Sequence, residues 1–454
     1  MLNRSAFFRY SLSMATPIMV QNLISTLVNT ADTVMLGYTS QAAMAAASLA
    51  GQMQLILFML FFGLSAGISV LGAQYWGRKD TQTIERILAL GIKLSAGIAL
   101  LFLLAAELLP GQIMRLLTND PDTVQEGIVY LRIVGFSWVF AALSQSYVSV
   151  QRCMERVVFP TVVYVVSLAV NVLLNAVFIF GLFGSPKLGL RGVALATVTA
   201  RFMECAICLV HSATVRCGRL RMRCLRSRSG ALMQDLLKIS IPPILNDASY
   251  SLSGVLLAAI LGRMGSDTVA ANAVAVTGLN LGAVVSRGIS NATTIILGKA
   301  LGEGDTGKAR IYAKRMTWLS ALFGLAGSGF VVLLRPLILR IYTGKLTDTA
   351  LTLLSAFLFV EAARIFAEAV NTCWNCGCLR SGGDSKYGFI VDTVTNWCFI
   401  LPLTALAAFW LKLPAQWVFL CMCLEEYVKL PVYFARYRSD CWMKNITREQ
   451  EAGL

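Results

Sequence analysis

Residues 17–37 read PIMVQNLISTLVNTADTVMLG, and residues 242–262 read PPILNDASYSLSGVLLAAILG. Both stretches begin at a proline, end in Leu-Gly and are strongly apolar, and they lie 225 positions apart. The same offset continues without a gap to residue 80, so that Asp80 meets Asp305. An apolar chain that repeats itself in this way is typical of membrane transporters built from two homologous halves, with the site between the halves.

The composition indicates that the whole chain is embedded in a membrane. The 454 residues are 57% hydrophobic and 14% charged, and the mean hydropathy is +0.68. Soluble domains contain about 25% charged residues, so this chain has too few to cover a surface in water. Its apolar segments have the length of membrane-spanning helices. We therefore predict an all-α polytopic membrane protein.

The apolar segments number twelve, six in each half of the chain. An even number of spans returns each half to its starting side, so the lobes are parallel, pseudo-symmetric repeats. The predicted domains are an N-terminal six-helix lobe (1–213), a basic cytoplasmic linker (214–236), a C-terminal six-helix lobe (237–432) and a cytoplasmic tail (433–454). The spans are predicted near 13–37, 44–72, 86–106, 128–149, 160–181, 192–213, 238–261, 268–297, 314–334, 350–374, 387–409 and 415–432.

The net charge of +15 is a topology signal. Lysine and arginine accumulate in alternate connections, above all in the linker 214–236. The positive-inside rule then places both termini in the cytoplasm, and we expect a multi-pass protein of the bacterial inner membrane. Anionic membrane lipids are the partners that this charge predicts, and nucleic acid is not.

A polar stripe runs along the first span. Asn22, Ser25, Asn29 and Asp32 are separated by steps of three, four and three residues, which places them on one helix face beside Gln21. A carboxylate within a bilayer is costly and is often functional. It can hold a proton or bind a sodium ion with neighbouring oxygens, or it can be a structural Asp bonded to another helix. We predict an ion- or proton-coupling site that also includes amides of the fifth span; its residues are Asp32, Asn29, Asn22, Asn171 and Asn175.

A second stripe runs along the tenth span and contains Glu361, Arg364, Glu368, Asn371 and Asn375. A buried arginine needs an acidic partner, so Arg364 pairs with one of the two glutamates. One arginine cannot neutralise both, and the remaining carboxylate can handle a proton or a cation. The spacing does not decide between the two glutamates. Glu368, Glu361 and Arg364 therefore form the predicted second acidic site.

The two halves differ where their polar residues fall. Asp247 in the seventh span is the repeat mate of Asn22, whereas the repeat mate of Asp32 is Leu257. An acid at the position of Asp32 is thus present in one half only. We expect a substrate cavity lined by residues of both halves, namely Gln21, Ser25, Asp247, Tyr250 and Asn371.

Four segments together carry a family resemblance. Residues 17–37, 67–77, 188–197 and 379–384 resemble the first helix, the end of the second helix, the sixth-helix motif and the loop after the tenth helix of MATE (multidrug and toxic compound extrusion) transporters. The counterpart of the last loop in the first half is 152–156, after a small slip in register. The resemblance implies twelve helices in two lobes and export of organic cations or drugs in exchange for Na⁺ or H⁺.

The resemblance also indicates which acidic residues correspond to the functional acids of the family. The first-helix acid of the family maps onto Asp32 within a matching motif. Some members carry a glutamate in the seventh helix, and that position is Tyr250 here, a departure from their pattern. The tenth-helix acid of those members falls at or next to Glu368, which favours Glu368 over Glu361.

Other functions fit the sequence less well. We expect a monomeric secondary antiporter that works by alternating access, with no cofactor, no enzymatic activity and no metal beyond a possible Na⁺ at Asp32. No Gly-x-x-x-x-Gly-Lys-Ser/Thr motif points to an ATP-driven pump, and no hydrolase or zinc-protease motif points to an intramembrane enzyme. The alternative is a lipid-linked oligosaccharide flippase of the same superfamily, which needs a strongly cationic cavity. The arginines within spans are few: Arg132, Arg201, Arg287 and Arg364.

Overall fold

The computed structural model describes residues 3–36, 41–226 and 229–448, and these residues are overwhelmingly helical. The helices are α1 (Arg4–Leu36), α2 (Gln41–Gly77), α3 (Thr81–Leu108), α4 (Pro110–Leu117), α5 (Pro121–Cys153), α6 (Val158–Phe180), α7 (Leu190–Thr214), α8 (Met222–Arg226), α9 (Gly230–Gly262), α10 (Ser266–Gly302), α11 (Thr306–Tyr342), α12 (Asp348–Leu379), α13 (Ser385–Trp410), α14 (Ala415–Cys423) and α15 (Glu425–Arg438).

The predicted all-α class is confirmed. Each of the twelve predicted spans falls on a long helix or, for the last span, on the pair α14 and α15. Within the described ranges, ten helices are long and apolar enough to cross a bilayer. Several helices extend beyond the predicted ends. α10 and α11 have 37 residues each, more than the roughly 20 that span the hydrocarbon core, so charged turns continue the helix past the apolar stretch.

The chain forms two compact units, which are Val20–Ile241 and Met1–Met19 together with Pro242–Leu454. The unit boundaries thus fall inside α1 and α9, close to the paired prolines with which the repeat opens. Each of these two helices contributes residues to both units. The domain boundaries that we predict at the basic loop follow the sequence repeat and stay a prediction.

In the unit Val20–Ile241, the central helix is α5, which packs against α2, α3 and α7. Its buried face includes Leu131, Val134 and Trp138. Small residues let the helices approach closely. A Cβ atom on Gly91 would lie 2.5 Å from Ile68 Cδ1, for example. Close packing through small residues is a major source of helix association in membranes.

In the other unit, α12 packs against α10 and α11. The rings of Phe357 on α12 and Phe419 on α14 are stacked, with centroids 3.9 Å apart. A Cβ atom on Gly327 would lie 2.9 Å from the Gly282 carbonyl oxygen, so α10 and α11 meet backbone to backbone. This packing places the polar stripe of α12 against its neighbours inside the unit.

The two halves repeat their caps and turns. Asp80 accepts a hydrogen bond from the Thr83 amide at 3.0 Å, and its repeat mate Asp305 accepts one from the Lys308 amide at 2.8 Å, so each caps the following helix.

The loop after the fifth span also matches its counterpart after the tenth. Glu155 and Gly383 both have positive φ, 65° and 77°. Their amides donate to the carbonyl oxygens of Arg152 and Arg380, each at 2.9 Å. The predicted slip in register is therefore seen in the backbone, and it amounts to three residues.

The chain after α15 folds back onto the loop 380–384. Trp442 is fully buried, and its ring is stacked beside that of Tyr437 with centroids 6.3 Å apart. Gly382 is needed at this contact, because a Cβ atom there would lie 1.6 Å from the Trp442 carbonyl oxygen. Backbone atoms cannot give way as a flexible side chain can. Residues 439–448 are therefore a packed part of the unit.

We predict that Gly382→Ala detaches this segment. The new methyl group forces the backbone at Trp442 to move, at a cost of about 1–3 kcal/mol in stability. Limited proteolysis with trypsin should then cleave faster at Lys444, which is exposed. Gly329→Ala is the matched control, because a Cβ atom there meets no atom within 4 Å. Equal cleavage rates in the two variants would contradict the close contact.

Candidate functional site

The polar stripe of α12 begins with a buried ion pair. Glu361 Oε1 lies 3.5 Å from Arg364 Nη1, and both side chains are buried. Arg364 Nη2 donates a hydrogen bond to the Tyr250 hydroxyl of α9 at 3.0 Å. The structure thus selects Glu361 as the partner of Arg364 and brings in Tyr250, which the sequence assigned to a cavity.

Glu368 has a cation of its own, because Arg287 of α10 approaches it with Nη2 at 3.5 Å from Oε1. The expectation that the stripe leaves one carboxylate without a cation is therefore wrong. The reason is that α10 packs against α12, and the spacing on one helix cannot show a partner on another. Arg287 is about half exposed and Glu368 is mostly buried, so the pair lies at the edge of the packed interior.

A larger charged cluster lies where α9, α12, α13 and α15 meet, and the sequence interpretation missed its centre. Asp392 of α13 accepts hydrogen bonds at Oδ2 from Asn246 at 2.9 Å and from Asn375 at 3.0 Å. Its Oδ1 accepts one from the Tyr433 hydroxyl at 2.7 Å. The same Oδ1 lies 3.0 Å from Lys429 Nζ. Both oxygens of this carboxylate are thus held by neighbouring helices.

Lys429 faces three carboxylates. Besides Asp392, it donates a hydrogen bond to Glu425 Oε1 and lies 4.0 Å from Glu426 Oε1. All four charged residues are buried, with Lys429 only 3% exposed. Asn371 of the α12 stripe joins this cluster, since its Nδ2 donates to Glu426 Oε2 at 2.9 Å. Asn371 was expected to line a substrate cavity, and it binds an acid of α15 instead.

The missed residues differ in the signal that they offer. Glu425, Glu426 and Lys429 have spacings of four and three, which place them on one helix face and could have revealed the cluster. They come at the end of the last span, where charges resemble an interfacial helix end. Asp392 is the only charged residue of α13 beyond its first turn, so no spacing on that helix marks it.

Asp247 lies at the border of the same region and is half buried. The charges that act on its carboxyl group belong to Arg380 of the loop 380–384 and to Asp392. Asp247 therefore extends the charged region of this unit from the middle of the helices towards that loop.

In the unit Val20–Ile241, both polar atoms of the Gln21 side-chain amide form hydrogen bonds with other residues of the protein. Its Oε1 accepts a hydrogen bond from Arg152 Nη2 at 2.5 Å, and its Nε2 donates to Thr161 Oγ1 at 2.7 Å. Gln21 is only 2% exposed, so it holds helices together in this structure. Asn22 beside it is half buried. The side chains of Ser25, Asn29 and Asp32 lie outside the described part of the structure, and their roles stay predictions.

The amides of the fifth span do form a buried stripe. Asn175 Nδ2 donates to Asn171 Oδ1 at 3.2 Å. One turn earlier, Ser167 donates to Glu204 Oε2 at 3.4 Å. Arg201 of α7 lies 2.7 Å from the same oxygen, so that this acid is neutralised within its own helix.

The connected clusters of the C-terminal unit hold five carboxylates and three cations, which gives a net charge of −2 when all are ionised. A buried excess of negative charge attracts cations and repels anions. The arrangement is therefore suited to binding a proton or a positively charged ligand.

We predict that Lys429→Met strongly destabilises the protein. Removing one partner of a buried ion pair leaves an uncompensated charge and costs about 3–5 kcal/mol. Thermal unfolding in detergent should show a lower midpoint. The double variant Lys429→Met/Glu425→Gln should recover part of the loss, because it also removes the nearest carboxylate. A double variant as unstable as the single one would show that the ammonium does not neutralise Glu425.

Comparison with known proteins agrees with this architecture. A family model described as MatE matches residues 17–177 and again 242–406, so both halves match the same model. A protein of Rhodopseudomonas palustris described as the probable multidrug resistance protein NorM is 28% identical to this chain over 446 residues. The match covers 95% of this chain and 92% of that protein. An uncharacterised transporter of Bacillus subtilis, YisQ, is 23% identical, with 95% and 94% covered.

Solved structures share the fold. A crystal structure of a mutant of the Vibrio cholerae MATE transporter VcmN superposes with a TM-score of 0.87 at 18% identity, covering 97% of this chain and 99% of that one. A multidrug resistance MATE family transporter in an outward-facing conformation superposes with a TM-score of 0.83 at 19% identity, covering 95% of each chain. The predicted fold of twelve transmembrane helices is thereby confirmed.

Proposed function

The chain belongs to the MatE family of membrane transporters, and we propose that it exports small organic cations or drugs in exchange for Na⁺ or H⁺. The observation that carries the proposal is the excess of buried carboxylates over cations in the C-terminal unit. Relatives named as multidrug resistance proteins support the substrate class. Both termini face the cytoplasm in this proposal, because basic residues accumulate on that side.

The charge distribution favours this function over transport of a lipid-linked diphosphate. A diphosphate head group needs unpaired cations, and Arg201, Arg287 and Arg364 each face a glutamate. Arg132, which lies near the start of the fourth predicted span, is exposed on α5. An organic cation meets the opposite situation, since the surrounding carboxylates attract it.

Coupling follows from competition between two ligands for different conformations. A proton or sodium ion bound to an intramembrane carboxylate stabilises one conformation, and the organic cation stabilises the other. We assign the first such carboxylate to Asp32 with Asn22, Asn29, Asn171 and Asn175. This assignment rests on the helical spacing and on the family motif around Asp32.

We predict that Asp32→Asn abolishes gradient-driven efflux and leaves the fold intact. The amide has the shape of the carboxylate but cannot ionise, so this site can no longer exchange a coupling ion, and we expect efflux to lose its dependence on the gradient. Efflux of a fluorescent organic cation from proteoliposomes should be measured under separate sodium and proton gradients. The gradient that drives wild-type efflux identifies the coupling ion.

Asp120→Asn is the matched control. Asp120 caps α5 by accepting a hydrogen bond from the Thr123 amide at 3.1 Å, and asparagine caps helices equally well. Efflux by Asp32→Asn at the wild-type rate would remove Asp32 from the mechanism. Absence of dye efflux under both gradients, together with binding of a lipid-linked diphosphate, would overturn the proposed function in favour of a flippase.

A further inference from the structure

The cluster around Lys429 has more negative than positive charge. Asp392, Glu425 and Glu426 share one ammonium group, so the cluster itself has a net charge of −2 if all three acids are ionised. An uncompensated buried charge costs several kcal/mol, because the protein interior solvates it poorly. Something must neutralise part of this charge. The charged residues of the cluster lie on α13 and α15, whereas Asp32 belongs to α1.

The geometry favours a proton over a metal cation as the neutralising ligand. The Lys429 ammonium already occupies the position among the carboxylates, 3.0 Å from Asp392 Oδ1. A second cation about 4 Å from that ammonium would be repelled by roughly 4 kcal/mol at a dielectric constant near 20. A proton needs no such space, because it binds directly to a carboxylate oxygen and removes one negative charge.

Among the three acids, Glu426 is the least compensated by the ammonium. Its Oε1 lies 4.0 Å from Lys429 Nζ, whereas Asp392 and Glu425 are in hydrogen-bonding contact. Asn371 donates its Nδ2 to Glu426, and the other atom of that amide, Oδ1, is buried and accepts no hydrogen bond from any described residue. Asn371 is 3% exposed, so this oxygen is also shielded from solvent.

We propose that Glu426 carries an exchangeable proton and that the cluster of Glu426, Asp392, Glu425, Lys429 and Asn371 is a proton site of the C-terminal unit. On deprotonation the O–H bond breaks, the proton passes to water and the electron pair stays on the carboxylate. The transport role of this site rests on the proposed function. The charged and titratable groups that face Glu426 are Arg364 and Glu368 of α12, Tyr250 of α9, and Lys429, Glu425 and Tyr433 of α15.

The first test is independent of transport. Infrared difference spectra of the purified protein, recorded across a pH titration, detect the carbonyl stretch of a protonated carboxylic acid. Wild type should show such a band near neutral pH, and Glu426→Gln should lose the part of its amplitude that belongs to Glu426. Glu204→Gln is the matched control, because Glu204 is buried and lies 2.7 Å from the guanidinium group of Arg201, and this variant should keep the whole band. A band of wild-type amplitude in Glu426→Gln would overturn the proposal.

The second test separates this inference from the proposed function. Dye efflux by wild type should be measured across pH, together with Glu426→Gln and the conservative variant Glu426→Asp. We expect Glu426→Gln to lose most of the pH dependence of efflux and Glu426→Asp to retain it with a shifted midpoint. Wild-type efflux with an unchanged pH profile in Glu426→Gln would reject the proton site and keep the antiporter. A wild type that exports no cation would reject the proposed function, while the infrared result would still decide on the proton.

Discussion

The structure of the C-terminal unit depends on how one buried ammonium group is neutralised. Lys429 cannot remain charged in a membrane interior without acids around it. Those acids come from α13 and from the preceding turn of α15, and asparagines from α9 and α12 hold the acids in turn. These polar contacts connect α9, α12, α13 and α15 around Lys429. The apolar packing of the unit, through Phe357 on Phe419 for example, determines how close the helices lie. The charged cluster determines which faces meet.

The two halves of the chain neutralise a cation at equivalent positions of the repeat, but with different residues. Arg152 and Arg380 are equivalent in the two loops, and the same offset of 228 positions brings Arg201 onto Lys429 and Tyr164 onto Asp392. A cation therefore occupies the same place in the last span of each half. In the first half it pairs with Glu204, and in the second it faces three carboxylates. The pair of Arg201 and Glu204 is neutral, whereas the cluster around Lys429 has an excess of negative charge. This difference distinguishes an ion pair that only fixes packing from a cluster that can bind a proton.

Much of the fold could be predicted from the sequence, because a bilayer imposes a simple relation between apolar length and helix. The positions of all twelve spans and the equivalence of the loops at 155 and 383 follow from composition and from the repeat. The polar contacts could be predicted only where both partners lie on one helix, as for Arg201 with Glu204 and for Arg364 with one of its two glutamates. The partners of Glu368 and Asn371 come from other helices. Spacing within a sequence contains no information about which helix packs opposite, so Arg287 and Glu426 could not be assigned to them.

The repeat also explains why the second half places its acids elsewhere. The repeat mate of Asp32 is Leu257, which is buried and packs with Ile260 and Ile400 in an apolar cluster between α9 and α13. A carboxylate at that point would have no partner in this cluster, so it would be expensive to bury. The acids that surround Lys429 are found on α13 and α15 instead. The two halves thus share the prolines, caps and glycines that determine the architecture, whereas their buried acids lie at positions that are not equivalent in the repeat. If each unit binds a coupling ion, the two ions bind at positions that are not equivalent in the repeat. The two sites can then differ in their affinity for the ion and in the step of the transport cycle at which the ion is released.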